Sequence, residues 1–339
     1  MRNTSALATT QNLARVSQSV GGGSNTVQDA YDQGMDDWYL AGLEDDLRPR
    51  MFDLSSRGEP FALVTIVAAE GGGPRGLGAQ MVVTASDMAG FLSGGCIEAD
   101  VALHARETLI DGAPKRLVYG RGSPFIDARL PCGGRLELLV ERIGPDDPMI
   151  AALRRAEDDR RVVTLTSDGY SRSVLDGDVP AADRLRAYLP SQRLVVVGAD
   201  PFALAIAQQG LVQGWRVTLL RPHGPETPPP LPVDYRRDAD AAAALDALQL
   251  DPWTAVALAT HDSDLDDQAL PAALSSRAGY VGLLGSRRRL AARLTKLSEV
   301  GLDDAVIDRL HAPIGLKIAA RSPQEIATAV IGEIIASRV

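Results

Sequence analysis

Hydrophobic positions along this chain fall into two patterns that meet near residue 190. Upstream, Phe61–Ala68 (FALVTIVA) is a continuous apolar run of strand length, halted by Gly71-Gly72-Gly73-Pro74. A second strand is expected over Ala79–Thr84, with Ser86-Asp87 turning the chain after it. Apolar residues at helical spacing predict a helix over Ile97–Leu109, and alternation predicts a strand over Arg135–Glu141. Helical spacing is also read from Val27 to Ser56, with Trp38, Leu40, Leu43 and Met51 expected to face inward. Pro145 to Pro148 mark a loose joint, after which a shorter α+β stretch runs to about Leu189.

Downstream, Leu194–Val197, Val217–Leu220, Ala255–Ala259 and Tyr280–Leu284 are short apolar runs separated by segments of helix length. That alternation predicts a parallel sheet with right-handed crossovers. Pro222–Pro232 is too rich in proline to be anything but loop. Ser322-Pro323-Gln324-Glu325 is a capping box with proline at the first helical position, opening a C-terminal helix. The expected architecture is therefore α/β: an N-terminal α+β domain at residues 28–190 and a Rossmann-like parallel-sheet domain at 191–339. Residues 1–27 hold no acidic residue and include Gly21-Gly22-Gly23-Ser24, which reads as a disordered tail.

Composition narrows the partners. A formal net charge of −9 repels nucleic acid and anionic membrane surfaces, so neither is expected. No apolar run approaches the length of a bilayer span, and no apolar segment follows Arg2 as in a secretory signal. Two cysteines, Cys96 and Cys132, are too few for a disulfide framework and lack zinc-ribbon spacing. A reducing, cytoplasmic compartment is the expectation.

Both cysteines sit beside paired glycines. Gly94-Gly95 precede Cys96, and the expected helix starts directly after it. A helix N-terminus offers free N–H groups and a positive dipole end, which favour thiolate. Pro131-Cys132-Gly133-Gly134 repeats the pairing before a strand, and glycines let backbone approach a ligand closely. Two readings stay open: ligand contacts, or small buried apolar residues.

In the second half, His261-Asp262 follow the third parallel strand, at the sheet end where ligands bind. A general-base histidine and a simple helix cap by Asp262 or Ser263 are both compatible with that position. Gly285-Ser286-Arg287-Arg288 follows the fourth strand and suits an anion, although arginines on a solvated helix face explain it equally. His311-Ala312-Pro313-Ile314-Gly315 is a turn to which the residues alone assign no chemistry. Where a dinucleotide fold reads G-x-G-x-x-G/A, this chain has Gly198-Ala199-Asp200-Pro201-Phe202-Ala203. Asp200 would repel a pyrophosphate and, with Pro201, cap the helix itself. Arg221 stands where an acidic residue would hold the ribose. NAD is therefore not expected, while Arg221 leaves NADP open. An NAD(P)-dependent oxidoreductase and a metal or redox protein using the cysteines and a histidine are the rival functions.

The segment GGGPRGLGAQMVV followed by SGGCIE resembles the N-terminal domain of the xanthine dehydrogenase accessory factor family (XdhC/CoxI). PCGGRLELLVE is similar to that family's second stretch. THDSDLDDQAL, YVGLLGSRRR and HAPIGLKIAARSPQEIA resemble its C-terminal domain, in the family's order. The resemblance implies a non-catalytic chaperone that binds molybdenum cofactor, as molybdopterin or its cytidine dinucleotide form. It implies a cysteine desulfurase and an apo-molybdenum hydroxylase as partners, and a homodimer. Carried onto this sequence, Cys96 would contact the cofactor and its metal, with Gly94 and Gly95 shaping its approach, and Arg75, Cys132 and Gly133 lining the same site. His261, Gly285, Ser286 and Arg287 would contribute from the C-terminal domain, across a cleft between the two. In the phosphate loop and at Arg221 the chain departs from the family's usual pattern, which has a second glycine with a histidine and an acidic residue there.

Overall fold

The apolar run beginning at Phe61 forms the central strand of an antiparallel sheet in the computed structural model, which describes residues 39–338 apart from 124–129, 131–132, 181–183 and 261. This strand, β1 (Phe61–Glu70), lies between β2 (Gln80–Val83) and β5 (Arg135–Ile143), with β3 (Met88–Gly90) and β4 (Lys115–Gly120) at the edges, in the order β3-β2-β1-β5-β4. Ala62, Val64 and Ile66 alternate toward one face, where Leu136, Leu138 and Val140 of β5 join them. Helix α2 (Glu98–Asp111) covers that face with Val101, Ala102 and Ala105. Period-two burial on the strands meets helical spacing on α2, and burial of these side chains holds the layers together. The β1–β5 register shifts between Ile66 and Ala68, a bulge just before the chain leaves the sheet at Gly71.

The N-terminal helix differs from expectation. A short 3-10 turn spans Leu40–Leu43, and helix α1 covers only Arg48–Ser56. Met51 is buried, but Leu40 and Leu43 are 71% and 80% exposed. The acidic run Glu44-Asp45-Asp46 separates the two pieces, and Asp46 accepts hydrogen bonds from the backbone and guanidinium of Arg48, so helix restarts there with Pro49 in its first turn. Trp38 and the tail at residues 1–27 lie outside the described residues. Helix α3 (Pro148–Asp158) precedes a small sheet of β6 (Val163–Ser167), β7 (Arg172–Asp176) and β8 (Arg186–Tyr188), in the order β7-β6-β8.

The chain divides into two units, the first comprising Met1–Ala151, Leu165–Val174 and Val179–Arg186, the second the remainder. In the second, β9 (Arg193–Gly198), β10 (Arg216–Leu220), β11 (Asp234–Arg236), β12 (Thr254–Ala259), β13 (Tyr280–Leu283) and β14 (Leu310–His311) form one sheet, ordered β11-β10-β9-β12-β13-β14. Every pair in it is parallel. Val196, Ala255 and Ala257 face one way, onto α4 (Pro201–Val212) and the last helix. Val195, Val256 and Leu258 face the other, onto α5 (Ala241–Ala247), α6 (Ser263–Ser275) and α7 (Arg287–Glu299). Both faces are apolar because both are covered, which is why these strands read as unbroken hydrophobic runs. After the short α8 (Asp304–Ile307) comes α9 (Pro323–Ala336), which starts at the expected capping box: Ser322 Oγ accepts from Glu325 N, and the Glu325 carboxylate accepts from Ser322 N. The mixed α/β class, with an α+β first half and a parallel second half, is as the sequence predicts.

A glycine-walled cavity beside Cys96

The glycines that halt β1 have a structural reason. Gly71 has φ +79°, and a Cβ there would stand 3.2 Å from Gly134 Cα, so the chain leaving β1 passes close to the chain entering β5. The loop Gly71–Pro74, the β1 end at Ala69 and Glu70, and the β5 start from Gly134 to Leu136 form three walls of a cavity of about 150 Å³. Ser93, Cys96 and Leu130 complete it. Cys96 is a free, exposed cysteine. At Gly72, which lines the cavity, an added Cβ would meet nothing within 4 Å.

The loop that carries Cys96 is wrapped around a carboxylate. Glu98, the first residue of α2, is 0% exposed. Its Oε1 accepts from the N–H groups of Leu92, Ser93 and Gly94 at 2.9, 2.7 and 3.2 Å. Its Oε2 accepts from Gly95 N and Ile97 N at 2.9 and 3.2 Å, and from Ser93 Oγ at 2.7 Å. Ser93 Oγ in turn accepts from Cys96 N at 3.1 Å and Ile97 N at 3.2 Å. Gly94 and Gly95 have φ of +84° and +107°, the left-handed backbone that turns successive amides toward one centre. Burial pushes the Glu98 carboxyl up, but the hydrogen bonds from Ser93, Leu92 and their neighbours outweigh it and hold the group below its ordinary value.

The amides of the glycine turn beside Cys96 are not free for a ligand: those of Leu92 to Ile97 donate to Glu98 and Ser93. Sequence reasoning singled out the cysteine and glycines but missed Glu98, Ser93 and the Gly71–Gly73 wall. The available signal was a single acidic residue set between Ile97 and Ala99, directly after the glycine turn.

Arg75 is not among the lining residues; its guanidinium is paired with Asp45 and lies 4.8 Å from the Phe91 ring centroid. Gly133 is exposed beside Gly134, and its N–H donates to Leu130 O at 2.9 Å. Cys132 and His261 lie outside the described residues. Gly285, Ser286 and Arg287 belong to the second unit, where Ser286 and Arg287 begin α7. An added Cβ at Gly285 would stand 2.5 Å from Arg293 Nη1, so this glycine leaves room for the guanidinium that pairs with Asp266. Asp266 is 1% exposed and also accepts from Thr260 Oγ1 at 3.0 Å. Burial pushes its carboxyl up despite the pull of Arg293 and Thr260. Asp262 caps α6, accepting from Asp264 N and Leu265 N, as the cap reading of that motif expects. Asp200 likewise caps α4, accepting from Ala203 N at 2.8 Å. His311 stacks on Tyr280 at 4.4 Å, and its Nδ1 is 3.5 Å from Glu333 Oε1. Glu333 Oε2 accepts from Tyr280 Oη at 2.5 Å and Gly315 N at 2.7 Å, tying the His311 turn to α9.

Comparison with known proteins adds to this picture. Residues 54–120 match the family described as XdhC and CoxI, and residues 194–334 match the XdhC Rossmann domain. The chain is 32% identical over 290 residues to the molybdenum cofactor insertion chaperone PaoD of Escherichia coli, covering 83% of this chain and 84% of that one. It is 27% identical over 323 residues to a Bacillus subtilis protein named as a probable xanthine dehydrogenase component, covering 83% and 94%. A solved structure described as a xanthine dehydrogenase from Bacillus halodurans shares the fold, with TM-score 0.71 at 21% identity over 86% of this chain and 95% of that one.

Two predictions follow from the geometry. Glu98→Gln turns an amide N–H toward buried donors and costs about 3 kcal/mol of stability, measured by urea unfolding. Because the folded pKa of Glu98 lies below its unfolded value, its contribution is complete above the unfolded value and is lost as pH falls through the folded one. The variant therefore shows a shallower loss of stability in acid than wild type, and parallel acid profiles would contradict the role of this carboxylate. For the second unit, Gly285→Ala displaces Arg293 from Asp266 and destabilises by about 1–3 kcal/mol. Asp266→Asn in the same background couples to it, and strictly additive costs in that double-mutant cycle would show that the pair is not what the alanine disrupts.

Proposed function

The chain belongs to the XdhC and CoxI family, and on that premise we propose that it is a carrier of molybdenum cofactor. It binds the cofactor as cargo, protects it, and delivers it to a molybdenum hydroxylase of the xanthine dehydrogenase type. The single observation that carries this reading is Cys96, a free thiol at a glycine-walled cavity, on a loop fixed by Glu98. The Escherichia coli relative named for cofactor insertion supports it.

The residues present fit such a cargo. Molybdenum in a dithiolene is a soft centre, and thiolate sulfur is a matching ligand. Among the described residues no three His, Cys, Asp or Glu side chains converge on a metal-sized site. A metal carried in a cofactor arrives with most of its ligands already attached, so the single thiol of Cys96 is enough to hold it in this reading. The cofactor supplies the redox-active metal; the chain's residues bind, orient and exclude water. Cys96 touches the metal end, Gly71–Gly73 let backbone approach without side chains, and Glu98 with Ser93 keeps the thiol over the cavity.

In this reading the protein works in the cytoplasm as a homodimer. It presents the bound cofactor to a cysteine desulfurase and then releases it to the apo-hydroxylase. Among the described residues no helix is long and apolar enough to cross a membrane, which is compatible with that route. The parallel-sheet unit does not use NAD(H), because Asp200 occupies the helix N-terminus where a pyrophosphate would bind.

Three variants or ligands test these statements. Cys96→Ala, loaded anaerobically with molybdenum cofactor, retains about tenfold less than wild type after desalting; equal retention removes Cys96 from the site. Gly72→Leu, whose Cβ meets no neighbour within 4 Å, puts a side chain into the cavity mouth and binds less cofactor, with its melting temperature measured alongside to show that it folds; unchanged binding would place the cargo elsewhere. Calorimetric titration with NADH gives no saturable binding in the micromolar range. Micromolar NADH affinity would contradict the role given to Asp200, and tight binding of NADPH alone would show that Arg221 outweighs it.

A further inference from the structure

We infer that the cavity takes only the sulfur- and metal-bearing end of the cargo and leaves its phosphate or nucleotide end outside, so the chain does not discriminate molybdopterin from its cytidine dinucleotide form. The inference rests on the function proposed above and specifies which part of the cargo the site reads.

Size is the first argument. A cavity of about 150 Å³ is the volume at which an engineered apolar cavity holds one benzene-sized ring. A fused-ring pterin with its dithiolene and phosphomonoester is several times larger, so one end enters and the rest lies beyond the mouth. The walls contributed by Ala69, Pro74, Leu130 and Leu136 are apolar and suit a weakly hydrated group.

Electrostatics decides which end enters. A phosphate needs N–H donors or a guanidinium. The amides of the cysteine loop cannot serve, because Leu92, Ser93, Gly94, Gly95 and Ile97 donate to Glu98, and Cys96 donates to Ser93. Among the described residues, the nearby guanidiniums are also engaged. Arg135 donates to Glu137 at 2.6 Å and to Arg121 O at 2.8 Å. Arg121 donates to Glu70 at 3.0 Å, and Arg75 is held by Asp45. The Glu70–Arg121 and Glu137–Arg135 pairs cancel, and the Glu98 carboxylate behind the loop is satisfied by amides and the Ser93 hydroxyl, which turns those donors inward and away from the cavity. A phosphate would find these described donors already taken, whereas a soft metal faces the Cys96 sulfur.

The test is anaerobic equilibrium binding of the full chain to molybdenum-loaded molybdopterin and to its cytidine dinucleotide form, with CMP and orthophosphate as competitors. The two affinities are expected to agree within about threefold, with neither competitor displacing either form. Gly72→Leu is expected to weaken both by the same factor. A preference of about tenfold for one form, displacement by CMP or orthophosphate, or a Gly72→Leu effect confined to one form overturns the inference and leaves the proposed carrier function standing. Failure of wild type to bind either form overturns the carrier function itself, and the inference with it.

Discussion

A fully buried carboxylate that accepts from five backbone N–H groups and a hydroxyl leaves the surrounding loop little freedom, because any other conformation leaves those groups or the charge unsatisfied. Glu98 imposes that condition on residues 92–97, and the geometry of the candidate site depends on it. The glycines at 94 and 95 are needed because only left-handed backbone brings their amides to the same carboxylate. Ser93 extends the network to the Cys96 amide, so the thiol is carried on a loop locked from the inside. Helix α2 anchors the whole device: its first residue is Glu98, and its apolar face is packed on β1 and β5.

The same strands that hold α2 also make the cavity. The bulge in β1 and the close pass of Gly71 over Gly134 bring the two strand ends together, and Cys96 faces the space between the walls they support. The cavity offers one soft ligand, backbone walls and an inward-facing charge, which suits the proposed role of holding a preassembled group. In the second unit the glycine, aspartate and arginine motifs have local explanations of a different kind. Gly285 admits Arg293 to Asp266, Asp262 and Asp200 cap helices, and Glu333 gathers Tyr280, His311 and Gly315.

Much of the fold was legible because burial on both faces turns strands into unbroken apolar runs, as at Phe61–Ala68 and Leu194–Val197. Short edge strands such as Met88–Gly90, Asp234–Arg236 and Leu310–His311 escaped, since two or three residues carry no period. Leu40 and Leu43 fit a helical spacing that the acidic run after them interrupts, so pattern alone misjudged which side they face. At the site, Cys96 and its glycines were visible because their chemistry is carried in residue type. Glu98 was not, because a carboxylate becomes an organising centre only when three-dimensional closure brings five amides to it. For the same reason the sequence does not show that the amides of residues 92–97, next to Cys96, are already taken by Glu98 and Ser93.

In the proposed carrier function Cys96, held by the Glu98 loop, is a direct ligand to the metal of a bound molybdenum cofactor, and molybdenum K-edge X-ray absorption on cofactor-loaded protein reads that bond. Wild type is predicted to show one more sulfur neighbour at molybdenum than Cys96→Ser loaded in the same way. Identical first coordination shells in the two proteins would contradict it.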